Sequence, residues 1–223
     1  MLEVKGAVKK FGGVAALDGV DIEVGRGEVV ALVGPNGAGK TTLINAIAGF
    51  LKLDGGRVLL EGKDITGLPP HKRTELGIVR TFQLPQLFRR MTVLENVEVA
   101  LSAVTKYFKR PDLRWAEEVL KSFRLWDVRN KKVDELSEGH RKLLDVALAM
   151  ALRPKLVLLD EPTSSVSSAD KFEVMGLVAS ALRHDGVSAI IVEHDLDIVK
   201  TFADRVVQMY NGRIVSTTTP DKL

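Results

Sequence analysis

Apolar and polar positions fall in blocks along the chain, each with its own period. Residues 2–10, 20–24 and 29–33 read as short strands, the last an unbroken run of Val, Ala and Leu that enters a glycine-rich stretch. Residues 41–51 carry Leu43, Ile44, Ile47 and then Phe50 or Leu51 at helical spacing, and 57–60 and 78–82 read as further strands. From 84 to about 134 the character changes. Pro85 and Pro111 punctuate it, and Trp115, Val119, Phe123 and Trp126 recur at near four-residue steps, which predicts an amphipathic helix in a mostly helical insertion. Continuous apolar runs return at 156–159, ending in Asp160 and Glu161, and at 187–192, ending in Glu193 and His194. Such runs predict parallel strands buried on both faces, and polar residues at their carboxyl ends lie where open α/β sheets keep their ligands.

Composition narrows the classes. With 45% hydrophobic residues among 223, the chain can bury a sizeable core, and with no cysteine it has no disulfide, thiolate nucleophile or Cys-ligated zinc or iron–sulfur site. A formal charge of +3, with both signs mixed along the chain, gives no reason to expect nucleic acid as a partner. Glu3 and Lys5 sit where a signal peptide would need a basic region and then an apolar one, so no secretion is expected. The longest weakly charged stretch, 29–51, is broken by Gly34, Pro35, Gly37 and Gly39; it reads as strand, loop and helix, and any membrane role would come through a partner.

Gly34, Pro35, Asn36, Gly37, Ala38, Gly39, Lys40 and Thr41 fit the phosphate-loop pattern G-x-x-x-x-G-K-[ST] in its required place, after a strand and before a helix. Glycines let backbone N–H groups curl around phosphate oxygens, and the helix N-terminus adds partial positive charge. Lys40 can meet the β- and γ-phosphates, the Thr41 hydroxyl can ligate Mg2+, and Thr42 continues the loop into the helix. Asp160 and Glu161 then form the expected second element: Asp160 for the metal, Glu161 for the water that attacks the γ-phosphate. The cofactors expected are ATP and Mg2+.

With these elements in place, the chain resembles an ATP-binding cassette (ABC) transporter ATPase over essentially its whole length. Gln83 lies 43 residues after Lys40 in Arg80-Thr81-Phe82-Gln83, like the family's Q-loop; Leu136-Ser137-Glu138-Gly139-His140 resembles the signature motif; and His194, 33 residues after Glu161, stands where the family keeps its switch histidine. The resemblance implies a P-loop NTPase cassette with a mainly parallel core sheet, an N-terminal antiparallel β subdomain and an inserted helical subdomain. Residues 1–83 and 154–223 would form the nucleotide-binding core, and 84–153 the helical part carrying the signature. It further implies Glu161, His194 and Gln83 as catalytic, Gln83 also at the metal, Phe11 stacked on adenine, and Ser137 and Gly139 facing nucleotide held by a second ATPase subunit.

Two departures stand out: Glu138 and His140 in the signature, where a small residue and Gln are usual, and Ser167, where the family's next loop usually has an Asp that couples the two sites of the dimer. Phe11-Gly12-Gly13-Val14-Ala15-Ala16-Leu17, Arg80-Thr81-Phe82-Gln83, Met91-Thr92-Val93-Leu94-Glu95-Asn96-Val97 and Glu193-His194-Asp195 resemble the importer ATPases for branched-chain amino acids, with urea and amide importers close by. The expected partners are transmembrane permease subunits, a second ATPase and, indirectly, an external substrate-binding protein; the expected place is the cytoplasmic face of the membrane. Competing readings are a soluble ABC-type ATPase working on a protein assembly, and a regulatory subunit that turns over poorly because of His140 and Ser167.

Overall fold

The computed structural model describes residues 1–82, 85–104 and 112–223. Two sheets carry the fold. The first is antiparallel, in the order β2-β1-β4-β5, and comprises β1 (Leu2–Phe11), β2 (Val14–Val24), β4 (Gly55–Leu60) and β5 (Lys63–Asp64). The second runs β10-β9-β3-β8-β7-β6. Its members are β3 (Val29–Val33), β6 (Ile78–Arg80), β7 (Leu156–Asp160), β8 (Ser188–Val192), β9 (Arg205–Tyr210) and β10 (Arg213–Thr218). Every pairing in it is parallel except that of β10 with β9. All residues of β3, β7 and β8 are buried, the condition that permits unbroken apolar runs in a sheet covered on both faces.

Helix α1 (Lys40–Ala48) follows β3 and presents Leu43, Ile44 and Ile47 to a core shared between the two sheets. A short α2 (Pro70–Glu75) begins at proline and leads to β6, where Arg73, 2% exposed, donates to the carbonyls of Ala46, Ile47, Leu68 and Thr66 and so closes the end of α1. Between β6 and β7 lie α3 (Val93–Val104), α4 (Leu113–Ser122) and α5 (Glu138–Ala151). The Trp115, Val119, Phe123 spacing forms a helix only to Ser122: Phe123 caps it and Trp126 opens a separate 3-10 turn, with Arg124 between them at φ 55. Phe123, 1% exposed, anchors the second core, into which α3, α4, α5 and α6 (Lys171–His184) pack against β7 and β8. Helix α7 (Leu196–Phe202) follows β8. Among the described residues no helix is long and apolar enough to cross a membrane.

The sheet order positions the chemistry. β8 lies between β3 and β7, so the loops leaving the carboxyl ends of three adjacent parallel strands carry the phosphate-loop residues, Asp160-Glu161 and Glu193-His194.

Candidate nucleotide site

The phosphate loop leaves β3 and turns into α1 through glycines that no other residue could replace. Gly39 has φ 103, and a Cβ there would collide with the carbonyl oxygen of Ala16; Gly34, at φ 148, packs as closely on the carbonyl of Met209. Pro35, Asn36 and Gly37 are exposed at the rim. Lys40 is 6% exposed, and its ammonium folds back onto the loop, donating to the carbonyls of Gly34 at 2.7 Å and Pro35 at 3.0 Å. Burial lowers the Lys40 pKa, against the opposing pull of the Glu161 and Asp160 carboxylates. Thr41 is exposed and Thr42 half-buried at the first turn of α1.

At the end of β7, Asp160 is 4% exposed and ion-paired with Arg80 at 3.0 Å. Arg80 also bonds the Asn45 side chain on α1 and stacks over the Phe82 ring at 4.8 Å. Glu161 takes a left-handed backbone, φ 52, with its N–H given to the Val192 carbonyl at 3.0 Å. That turn aims its carboxylate at His194, whose Nε2 lies 3.1 Å from Glu161 Oε1. Beneath them, Glu193 is 4% exposed and accepts from the Thr163 hydroxyl at 2.6 Å, the Thr163 N–H at 3.2 Å and the His194 N–H at 3.1 Å. A buried carboxylate bonded this way ties the loop after β7 to the loop after β8.

Ser137 is the N-cap of α5 and accepts from the His140 N–H at 3.3 Å; its hydroxyl also lies 3.1 Å from His140 Nδ1. Glu138 pairs with Arg141 at 2.6 Å, so the extra carboxylate of the signature has its counter-charge one turn away. Gly139 is half-buried beside Val174. Phe11, at the end of β1, is 53% exposed, with the Lys9 ammonium 5.6 Å from its ring centre. The Ser167 hydroxyl donates to Asp170 at 2.7 Å. Gln83 lies outside the described residues.

The structure thus brings Lys40, Asp160, Glu161 and His194 to one edge of one sheet. Arg80, Asn45, Thr163 and Glu193 support that edge, and Lys142 reaches it through the Glu161 carbonyl; sequence reasoning gave none of them this supporting role. Glu193 alone had a signal, as an acid ending a buried strand beside a histidine.

A doubly covered parallel sheet with a phosphate loop at the end of its central strand and paired acids at the end of a neighbour defines a P-loop nucleotide-binding ATPase. The model of the ABC transporter family matches residues 17–164, and the chain belongs to that family. It is 41% identical to a probable branched-chain amino acid transport ATP-binding protein, LivG, of Archaeoglobus fulgidus, over 97% of this chain and 88% of that protein. It is 34% identical to the high-affinity branched-chain amino acid transport ATP-binding protein BraF of Pseudomonas aeruginosa, over 100% of this chain and 93% of that one. Among solved structures, the ADP conformation of an ATP-binding cassette of an ABC transporter superposes with TM-score 0.88 at 38% identity, over 98% of this chain and 91% of that one. A dimeric ABC cassette bound to ADP and Pi superposes with TM-score 0.86 at 28% identity, over 99% of both chains.

Proposed function

We propose that this chain is the ATP-hydrolysing subunit of an importer for branched-chain amino acids, working as a dimer of cassettes beneath a membrane permease. The observation that carries the chemistry is the Glu161–His194 contact of 3.1 Å at the strand ends beside the phosphate loop. The substrate class is supported by full-length relatives named for branched-chain amino acid transport.

In this reading ATP lies on the phosphate loop with its adenine on Phe11. The phosphates take the loop N–H groups of residues 34–42, and the Lys40 ammonium exchanges the Gly34 and Pro35 carbonyls for β- and γ-oxygens. Ser137 and Gly139 of each cassette cover the nucleotide of the other. Glu161 accepts the proton of the attacking water, while His194 orients that carboxylate and bonds the γ-phosphate. The oxygen donors Thr41, Asp160 and Gln83 suit a hard divalent cation, and Mg2+ held by them would neutralise charge developing on the phosphates. Residues 1–83 and 154–223 act as the nucleotide-binding core and 84–153 as the helical subdomain. Phe88, 55% exposed, and Met91, 37% exposed, supply apolar surface for a permease. The chain is then peripheral to the cytoplasmic face of the membrane, with an external binding protein choosing the cargo.

Glu161→Gln tests the site. The variant should bind ATP with unchanged affinity, lose about 10²-fold or more in turnover, and collect as an ATP-bound dimer in gel filtration. Wild-type turnover would remove Glu161 from the base role. Cargo is tested by co-purifying the permease from native membranes and comparing uptake of leucine with that of urea in the reconstituted complex.

A further inference from the structure

The signature helix α5 carries two charged side chains that the mechanism above does not use. Lys142 is 4% exposed, and its ammonium donates to the Ser164 hydroxyl at 3.0 Å and to the main-chain carbonyl of Glu161 at 3.4 Å. One turn on, the partly buried Asp145 carboxylate accepts from the Phe82 N–H and faces the Lys142 charge. Phe82 is also held from the core side, by the Arg80 guanidinium over its ring. One helix therefore grips both the catalytic loop and the segment leading to Gln83.

Glu161 needs such a grip. A non-glycine residue at φ 52 is held in a sparsely populated region only where its surroundings over-determine it. Val192 fixes the N–H of Glu161 from β8, and Lys142 holds its carbonyl from α5. Farther along the same loop the Ser167 hydroxyl donates to Asp170, the residue before α6.

We propose that Lys142 and Asp145 are positioning residues that make the seating of Glu161 depend on where α5 stands. Since α5 opens at Ser137, a partner nucleotide that draws Ser137 forward shifts the same rod that holds the Glu161 carbonyl. Occupancy of one site is thereby reported to the base of the other. This rests on Glu161 being the base.

The test uses the purified full-length chain, with Lys142→Met, Lys142→Arg, Asp145→Asn and Glu161→Gln measured side by side for kcat, KM and affinity for a fluorescent ATP analogue. Lys142→Met should lower kcat about tenfold with KM and affinity within about twofold, Lys142→Arg should recover most of the loss, and Asp145→Asn should lower kcat about threefold. Wild-type kcat in Lys142→Met overturns the proposal, as does a loss in which KM rises in step and Lys142→Arg brings no recovery, the signature of general loosening. If Lys142→Met does not fold, Lys142→Gln and Ser164→Ala replace it, each expected to lower kcat about threefold at unchanged KM because each removes only part of the grip, and wild-type kcat in both overturns the proposal. Wild-type turnover in Glu161→Gln removes the assignment of the base and this proposal with it; an inactive Glu161→Gln beside a fully active Lys142→Met removes this proposal alone.

Discussion

Arg80 and Asp160 are paired at 3.0 Å with side chains only 8% and 5% exposed, and the Arg80 Nε has no hydrogen-bond partner among the protein atoms. A buried pair of this kind adds little net stability while intact, but removing one member strands the other charge. Arg80→Met should therefore cost about 3–5 kcal/mol in urea denaturation. The double variant Arg80→Met/Asp160→Asn should recover a large part of it; equal losses in the single and double variants would mean that the carboxylate is not what suffers. Asp145 gives a pH signature. Burial pushes its carboxyl from 3.8 up to about 7, against the Lys142 charge and the Phe82 N–H. The folded chain then holds a proton that the unfolded chain has released, so stability falls as pH rises from about 4 to about 7. Asp145→Asn should flatten that part of the melting-temperature profile, and an unchanged slope would place the titration elsewhere. None of these partners was legible in the sequence. Arg80, Asn45 and Asp160 lie on three different elements, and a lone polar residue at the end of a strand or on a helix carries no sign of what the fold will set opposite it.

At the scale of elements, legibility followed the strength of the period. The buried strands β3, β7 and β8 were readable almost to the residue, because burial on both faces demands an unbroken apolar run. The α4 stretch was overread: Trp126 continued the spacing, but Leu125 and Phe123 are fully buried at a chain reversal that ends the helix at Ser122. Strands β9 and β10 went unread: β10 is the exposed antiparallel edge of the sheet, with polar residues along most of its length, and in β9 exposed Gln208 and Tyr210 interrupt the buried Val206, Val207 and Met209. The N-terminus of α5 joins element to function. Ser137 satisfies one of its free N–H groups, so Ser137→Ala should cost about 1 kcal/mol of stability. It should also lower turnover at saturating ATP well beyond what that loss of folded protein explains. A turnover change that merely tracked unfolding would leave Ser137 as a cap alone.

For the whole molecule, the decisive arrangement is β8 between β3 and β7, which gathers three loop chemistries at one sheet edge. In the proposed dimer Ser137 and Gly139 of another cassette complete each nucleotide site, so activity should rise more steeply than linearly with protein concentration at low concentration. Strict proportionality down to nanomolar chain would point to a monomer that turns over by itself. Lys40→Ala provides the other global test, with ATP affinity falling about tenfold or more and thermal protection by ATP lost with it.

What the sequence determined by itself was the class of the protein: the phosphate loop, the acids ending a buried strand, and the order and spacing of Gln83, Ser137 and His194. These are local patterns, because a tight loop, a helix start and a strand end are each set by a few consecutive residues. The tertiary structure alone decided the supports: Arg80 on Asp160, Glu193 beneath Thr163 and His194, and Lys142 on the Glu161 carbonyl. Each joins residues far apart in the chain, and a charge finds its partner only after the core has brought the two elements together and excluded water from between them.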